Sequence, residues 1–363
     1  MKASVVNGVG QGFVVEELDI DEPRGMEVLV DVRASGLCHS DLHLAEIDFG
    51  LPMPTVLGHE VAGVVSAVGP GVTTTRVGDH VVACLVKFCG RCIECTSGHT
   101  FACTTPNSTL RATTEPPRLT RRGIAMEQAH GIGGFAEQAL VHENQLAVVS
   151  DDIPFAAACI IGCATVTGAG AAINTAQVRP GDTVAVIGTG GVGLNVISGA
   201  RLAGAMRIVA VDIDDGKLAV ARRFGATDVV NASGVDPVAA VRTLLRGGVT
   251  HAFEVIGLPQ TQRQAVELAG KGGGVHFVGL AKPGTTLEID SSLSMLRAHT
   301  SVAGVHMGST NLKRDIPMYA DYYLQGRLNL DDLVSQEIGL NDIPAAWEKL
   351  RSGSVIRSVV TSF

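Results

Sequence analysis

One run of residues, Gly188-Thr189-Gly190-Gly191-Val192-Gly193, constrains this chain more than any other segment. It follows a strand-like stretch, 183–187, and opens a helical stretch that reaches Ala203; a second strand-like stretch, 208–213, comes next. Strand, glycine turn, helix and strand make one β-α-β unit, and such units build parallel sheets covered by helices. In that setting the three spaced glycines have separate duties: a tight turn, close approach of backbone to a pyrophosphate, and packing of helix on strand. The pyrophosphate then rests on the free N–H groups of the helix start. Gly188, Gly190, Gly191, Val192 and Gly193 are therefore the expected cradle. Asp212 ends the second strand, where its carboxylate accepts hydrogen bonds from ribose hydroxyls and repels a 2′-phosphate, favouring NAD over NADP. Lys217 offers a further ribose contact or a solvated charge. A tight turn beside a loop-capping aspartate is the plainer alternative. The strand and helix on either side are what make the dinucleotide reading specific.

Eight cysteines are the next constraint, and four of them crowd together as Cys89-x2-Cys92-x2-Cys95-x7-Cys103. Thiolates this close let one tetrahedral Zn²⁺ collect four sulfurs with little loop-closure cost. The iron–sulfur alternative wants three residues before the fourth cysteine and a proline after it, whereas Thr104 follows Cys103 here. The spacing predicts a closed, structural zinc site. No basic-then-apolar leader occupies residues 1–19, so a reducing, cytoplasmic setting is expected, where metal binding outranks disulfides.

A length of 363 residues exceeds one comfortable core and predicts two domains. Residues 1–150 hold short valine-bearing runs (27–32, 60–68, 79–84) and predict a β-rich or barrel-like portion. From 180 onward, apolar runs at 252–256 and 274–280 alternate with helical stretches at 238–246 and 262–269, as in a doubly wound sheet. The last sixty or so residues return to mixed texture and are expected to rejoin the first domain. Residues 104–134 form a long polar stretch whose basic cluster, Arg118, Arg121 and Arg122, reads as a solvated loop. The uncharged stretch 153–178 is long enough to cross a membrane. Its Pro154, glycines, Asn174 and Gln177 favour a buried helix between domains instead, and no membrane partner is expected. With 28 basic against 36 acidic residues and no basic run, nucleic acid is a poor partner.

The remaining polar residues fall into a recognisable set. The chain reads Gly36-Leu37-Cys38-His39-Ser40-Asp41-Leu42-His43, then Gly58-His59-Glu60 with Gly63 and Gly69, then Gly78-Asp79, Gly162-Cys163-Ala164-Thr165 and a terminal Arg357. Together with the four-cysteine lobe and the nucleotide motif, this set resembles the zinc-dependent medium-chain alcohol dehydrogenases over essentially the whole chain. The long segment after Cys103 is similar to the longer, typically dimeric liver-type and class III-like branch. The resemblance implies an α/β chain with a GroES-like β-rich catalytic domain (1–164 and 305–363) and a Rossmann doubly wound parallel-sheet coenzyme domain (165–304).

The resemblance also implies site roles. Cys38, His59 and Cys163 match the ligands of a catalytic zinc, the two-cysteine, one-histidine set known for this family. Such a set leaves a fourth position open, where the +2 charge lowers an alcohol's pKa so that hydride can pass to NAD. Glu60 is implied as a transient ligand or a field-tuning charge, and Asp41 as the carboxylate that orients the ligand imidazole. Ser40 and His43 are implied to carry the alcohol proton to solvent by way of the nicotinamide ribose. His39, Thr167 and Arg357 join the expected coenzyme contacts. Cys84 and Cys159 are left over and read as small buried residues.

The implied activity is the interconversion of alcohols, primary ones first, and aldehydes with NAD and two zinc ions per chain, in a homodimer with a tetramer as the alternative. Two features depart from the best-known liver enzymes. His39 stands where an arginine often faces the pyrophosphate, and Leu85 stands where ethanol-oxidising members often put an aromatic wall. Substrate preference therefore does not transfer. A dehydrogenase of the S-hydroxymethyl adduct of formaldehyde with a thiol, and a non-enzymatic zinc- and NAD-binding sensor, are the competing readings.

Overall fold

The computed structural model describes all residues, Met1–Phe363. The chain divides into two compact units: Met1–Cys163 with Asn311–Phe363, and Ala164–Thr310.

The first unit is built on β-structure. Its largest sheet runs Leu146–Val148, His80–Ala83, Glu60–Val68, Glu27–Gly36, Ser358–Ser362, Gln336–Gly339, with Gln138–His142 also paired to Glu27–Gly36. β-Branched valines at alternating positions suit a pleated surface buried on one side. Val28, Val30, Val32, Val61, Val65 and Val81 accordingly meet in one core cluster. The central pair, Glu27–Gly36 against Glu60–Val68, is antiparallel and shifts register twice. Gly63 lies inside it because a Cβ there would sit 2.3 Å from the Asp31 carbonyl oxygen. A second cluster is closed by the scarce aromatics, with Phe13 edge-on to Trp347 at 4.7 Å.

The expectation of a solvated basic cluster fails at Arg118, which is only 8% exposed. Arg118 Nε donates to Glu27 Oε1 at 2.7 Å, and Arg111 Nη2 donates to Glu27 Oε2 at 2.6 Å. Arg111 also reaches Asp21. A buried carboxylate must be paired to remain charged, so the long polar segment turns its arginines inward to Glu27. Arg121 pairs with Glu16, and only Arg122 stays exposed.

The uncharged stretch forms one helix, Phe155–Thr175, and 83% of its most apolar window is buried within the protein. It is long and apolar enough to cross a membrane, and its burial is that of the core helix the sequence favoured. Its turns alternate between α (Phe155–Ile160, Val166–Gly170) and π (Ile161–Thr165, Ala171–Thr175). Gly162, inside the first π segment, lets the helix lie on the strand His80–Ala83: a Cβ there would be 2.0 Å from the Ala83 carbonyl oxygen.

The second unit carries a six-stranded, wholly parallel sheet. Its order is Asp228–Asn231, Arg207–Asp212, Thr183–Ile187, Val249–Glu254, Ala269–Phe277, Ser301–Gly304. Numbered along the chain this is 3-2-1-4-5-6, the doubly wound Rossmann order, in which ligands bind beyond the carboxyl ends of the strands where the order reverses. The first strand there is Thr183–Ile187, which runs directly into the glycine turn.

Candidate active site

The three spaced glycines of the turn differ in conformation and surroundings. Gly188 has φ +97°, a left-handed conformation open to glycine at little cost. Gly190 is exposed at the N-terminal cap of the helix Gly191–Leu202, and no atom lies within 4 Å of where its Cβ would be. Gly193 is the packing residue: a Cβ there would lie 1.9 Å from the Gly188 carbonyl oxygen. Backbone can thus approach an anion at Gly190, and the turn fits a dinucleotide pyrophosphate. Asp212 ends its strand beside the turn. Its Oδ2 accepts from both Thr189 N and Thr189 Oγ1 at 2.8 Å, and its Oδ1 accepts from Ile213 N at 2.8 Å. Lys217 is half-buried and its backbone N–H donates to the helix-capping Asp214 Oδ1 at 2.9 Å, while Thr167 Oγ1 is turned onto Met307 Sδ at 3.4 Å.

In the first unit, Cys38, His59, Glu60 and Cys163 converge, with their ligand atoms all within 4.8 Å of one another. Three different elements deliver them. Cys38 precedes the helix His39–Glu46, His59 immediately precedes the strand Glu60–Val68, and Cys163 sits in the π turn of the long helix. Asp41, fully buried, ties the first two together. Its Oδ2 accepts from Cys38 N at 3.1 Å, and its Oδ1 accepts from Gly58 N at 3.1 Å and His59 Nδ1 at 3.0 Å. A carboxylate only accepts, so Nδ1 carries a proton and Nε2 is the ring nitrogen left to face the thiols. That Nε2 is buried with no hydrogen-bond partner. An orphaned imidazole nitrogen facing two thiols is costly unless a metal completes it, and the donor set fits a tetrahedral Zn²⁺ with an open position.

Electrostatics around these groups is strongly coupled. A hydrogen bond from the Cys163 thiol, with the Arg357 and His59 charges, holds Cys38 well below the usual thiol range despite burial. Although burial opposes it, the charge and hydrogen bond of Asp41 raise His59. Burial pushes the Glu60 carboxyl up to about 7, while Arg357 pulls it down. Arg357, expected at the coenzyme, is 3% exposed; its Nη1 donates to Leu37 O at 2.9 Å and its Nη2 lies 3.3 Å from Glu60 Oε1. Gly36 makes room for this carboxylate, since a Cβ there would meet Glu60 Oε2 at 2.2 Å.

Ser40 and His43 lie three residues apart on the helix His39–Glu46, on one face and partly accessible, while His39 is exposed. Cys84 and Cys159 are fully buried, as the sequence suggested, and burial pushes the Cys84 thiol up to about 12.

The four-cysteine lobe closes on itself. Sulfur–sulfur distances are 3.4 Å for Cys92–Cys95 and 3.9 Å for Cys89–Cys95 and Cys92–Cys103. Zinc–sulfur bonds of about 2.3 Å at tetrahedral angles demand sulfurs about 3.8 Å apart. Backbone N–H groups of Arg91 and Cys92 donate to Cys89 Sγ, and Cys89 N donates to Cys103 Sγ at 3.2 Å. Hydrogen bonds from the Cys95 and Thr104 backbone hold the Cys92 thiol down to about 5, whereas burial pushes Cys95 up to about 12.

These two metal-competent clusters and the nucleotide turn accompany clear relationships. Residues 24–151 match the alcohol dehydrogenase GroES-like domain, and residues 191–321 match the zinc-binding dehydrogenase domain. The chain is 36% identical to an S-(hydroxymethyl)glutathione dehydrogenase of Synechocystis over 367 residues, covering 99% of each chain. It belongs to the zinc-dependent medium-chain alcohol dehydrogenases. The fold is accordingly a GroES-like domain joined to a Rossmann domain, and the family's cofactors are zinc and NAD. Among solved structures, an alcohol dehydrogenase zinc-binding domain protein from Burkholderia ambifaria superposes with TM-score 0.95 at 37% identity, covering 100% of this chain and 98% of that one. Benzyl alcohol dehydrogenase from Acinetobacter calcoaceticus superposes with TM-score 0.93 at 34% identity, covering 100% and 99%.

Two residues of this neighbourhood carried no sequence signal. His130 packs edge-on against the His59 ring, with centroids 5.5 Å apart, and Gln145, fully buried, bonds the His130 and Cys84 carbonyls. Neither belongs to a spaced motif, and both become legible only through the fold.

Proposed function

We propose that this chain oxidises a hydroxymethyl group by hydride transfer to NAD, and that its substrate is the S-hydroxymethyl adduct of a thiol such as glutathione, which loses a hydride and a proton to become the S-formyl thioester. The observation that carries the chemistry is the convergence of Cys38, His59 and Cys163 with the buried, unpartnered His59 Nε2. The relative from Synechocystis supports the thiol adduct. The likeness to benzyl alcohol dehydrogenase favours, as second reading, a plain primary alcohol such as benzyl alcohol.

Cys38, His59 and Cys163 would hold the catalytic zinc, and Cys89, Cys92, Cys95 and Cys103 the structural one. When bound, zinc supplies Lewis acidity that makes the substrate hydroxyl acidic, and NAD supplies the hydride acceptor. Asp41 fixes the His59 ring and the Cys38 backbone, so the two ligands keep their angle. Glu60, next to Arg357, sets the local field and can approach the metal position. Ser40 Oγ takes the hydroxyl proton, and His43 on the same helix face returns it to solvent. The backbone at Gly188, Gly190, Gly191, Val192 and Gly193, with Asp212, would hold the coenzyme, and His39, Thr167, Lys217 and Arg357 are its further proposed contacts. A cytoplasmic homodimer is part of this reading, and light scattering on the purified protein tests the dimer.

The deciding experiment follows NADH formation with formaldehyde plus glutathione, with benzyl alcohol and with straight-chain primary alcohols. The thiol adduct should give the highest kcat/KM. Benzyl alcohol outrunning it supports the second reading. No turnover with any of them sinks both in favour of a sensor.

A further inference from the structure

The fold spends backbone strain to place His130. Its φ is +58°, a left-handed conformation that is unfavourable for a non-glycine residue and persists only where surroundings over-determine it. Those surroundings are visible. Gln145 Nε2 donates to His130 O at 3.0 Å and to Cys84 O at 3.1 Å, and Gln128 Nε2 donates to Ile132 O at 3.2 Å. Gly131 and Gly133 are left-handed as well, with φ of 72° and 63°. This loop is clamped.

What the clamp delivers is an imidazole. The His130 ring stands at 79° to the ring of His59, 5.5 Å between centroids, and it is half-buried. Its backbone oxygen is taken by Gln145, whereas its ring nitrogens take no hydrogen bond from the chain. Gln145 fastens the loop to Cys84, the residue before Leu85, so an imidazole and an aliphatic side chain are anchored to the same clamp. An imidazole offers one N–H and one lone pair, and a hydrocarbon pressed against it leaves both unpaired.

We propose that His130 is a specificity-determining residue, hydrogen-bonding a second polar group of the substrate that lies close to the carbon being oxidised. The favoured class is therefore hydroxymethyl compounds with a hydrogen-bonding atom a few bonds away, over hydrocarbon alcohols of the same shape. This rests on the Cys38–His59–Cys163 cluster being the place of oxidation.

The test compares the pyridylmethanol isomers with benzyl alcohol, which has the same shape and lacks the ring nitrogen. The assay is run at about pH 8, where an ordinary imidazole is neutral. One hydrogen bond predicts that the best isomer exceeds benzyl alcohol in kcat/KM by about tenfold in the wild type. His130→Phe removes the ring nitrogens, and His130→Asn suits the left-handed backbone but is too short to reach. In both variants, checked for retained zinc, the ratio should fall about tenfold from its wild-type value. Comparing the ratio between variants and wild type cancels the electronic effect of the pyridine ring. Turnover without a preference, or a preference that survives both variants, overturns the role of His130 alone. No turnover of any probe overturns the site of oxidation as well.

Discussion

Asp41 Oδ1 accepts from His59 Nδ1 at 3.0 Å, and this contact decides which nitrogen of His59 faces the two cysteines. The same carboxylate receives Cys38 N through its other oxygen at 3.1 Å. One buried side chain therefore orients two proposed ligands. Asp41→Asn keeps the shape but places an amide N–H where an acceptor is needed, so zinc affinity at this site should fall about 10–100-fold. Chelator competition on the variant, counted against the unaffected four-cysteine site, measures it; unchanged affinity would show that Asp41 is only packing.

Coenzyme choice divides between charge and turn geometry. Asp212→Ala deletes the proposed ribose acceptor together with its charge, and it also frees Thr189. KM for NAD should rise about tenfold or more, and the gap between NAD and NADP should narrow. Thr189→Val removes only one bond to the carboxylate. It should weaken NAD modestly and leave the gap between coenzymes intact. If wild type uses NADP as well as NAD, Asp212 does not have this role.

Proton removal is assigned to Ser40 and His43. His43→Gln should lower oxidation several-fold near neutral pH and recover partly at higher pH or with added imidazole. Ser40→Ala should be worse, by about 100-fold, because no buffer replaces the first acceptor. An unchanged rate and pH profile in His43→Gln, with the chemical step limiting, removes His43 from the path.

The nucleotide-binding unit carries its own acid sensitivity. His276 is 6% exposed, its Nε2 lies 3.2 Å from His251 Nδ1, and His251 Nε2 lies 3.3 Å from Asp182 Oδ2. Burial first, and the His251 charge second, push His276 down to about 4. The unfolded chain takes up this proton near the ordinary histidine value of about 6.5 and the folded chain does not, so stability falls as pH drops from there toward about 4. The loss is on the order of 3 kcal/mol. Denaturant melts of the apo protein across this range should show the slope, and His276→Gln should flatten it. A flat profile in the wild type contradicts a buried, neutral His276.

Much of the fold and of the candidate site was legible because it is written locally. The strands Glu60–Val68 and Thr183–Ile187 appear at the residues their valine patterns mark. The four cysteines lie close in sequence, so their spacing alone predicts a shared ion, and their sulfurs do converge. Cys38, His59 and Cys163 were reached only through family resemblance, since no local rule joins residues so far apart. Arg118 was misjudged because its partner, Glu27, lies in a distant strand, and burial of an ion pair leaves no trace in a basic run. His130 was passed over for the same reason: its importance comes from a left-handed backbone and a clamp by Gln145, neither of which has a sequence period.

The central claim is a zinc-dependent oxidation at Cys38, His59 and Cys163, with a separate zinc that only stabilises. Zinc content and the rate of NADH formation, measured on the same preparations of wild type, Cys163→Ser and Cys95→Ser, test it most directly. Wild type should hold two zinc ions per chain, matching its two clusters. Cys163→Ser should stay folded and lose turnover, while Cys95→Ser should lose soluble yield and thermal stability, because a closed thiolate site contributes folding free energy. Full turnover in wild type stripped of all zinc, or in Cys163→Ser, would contradict the account.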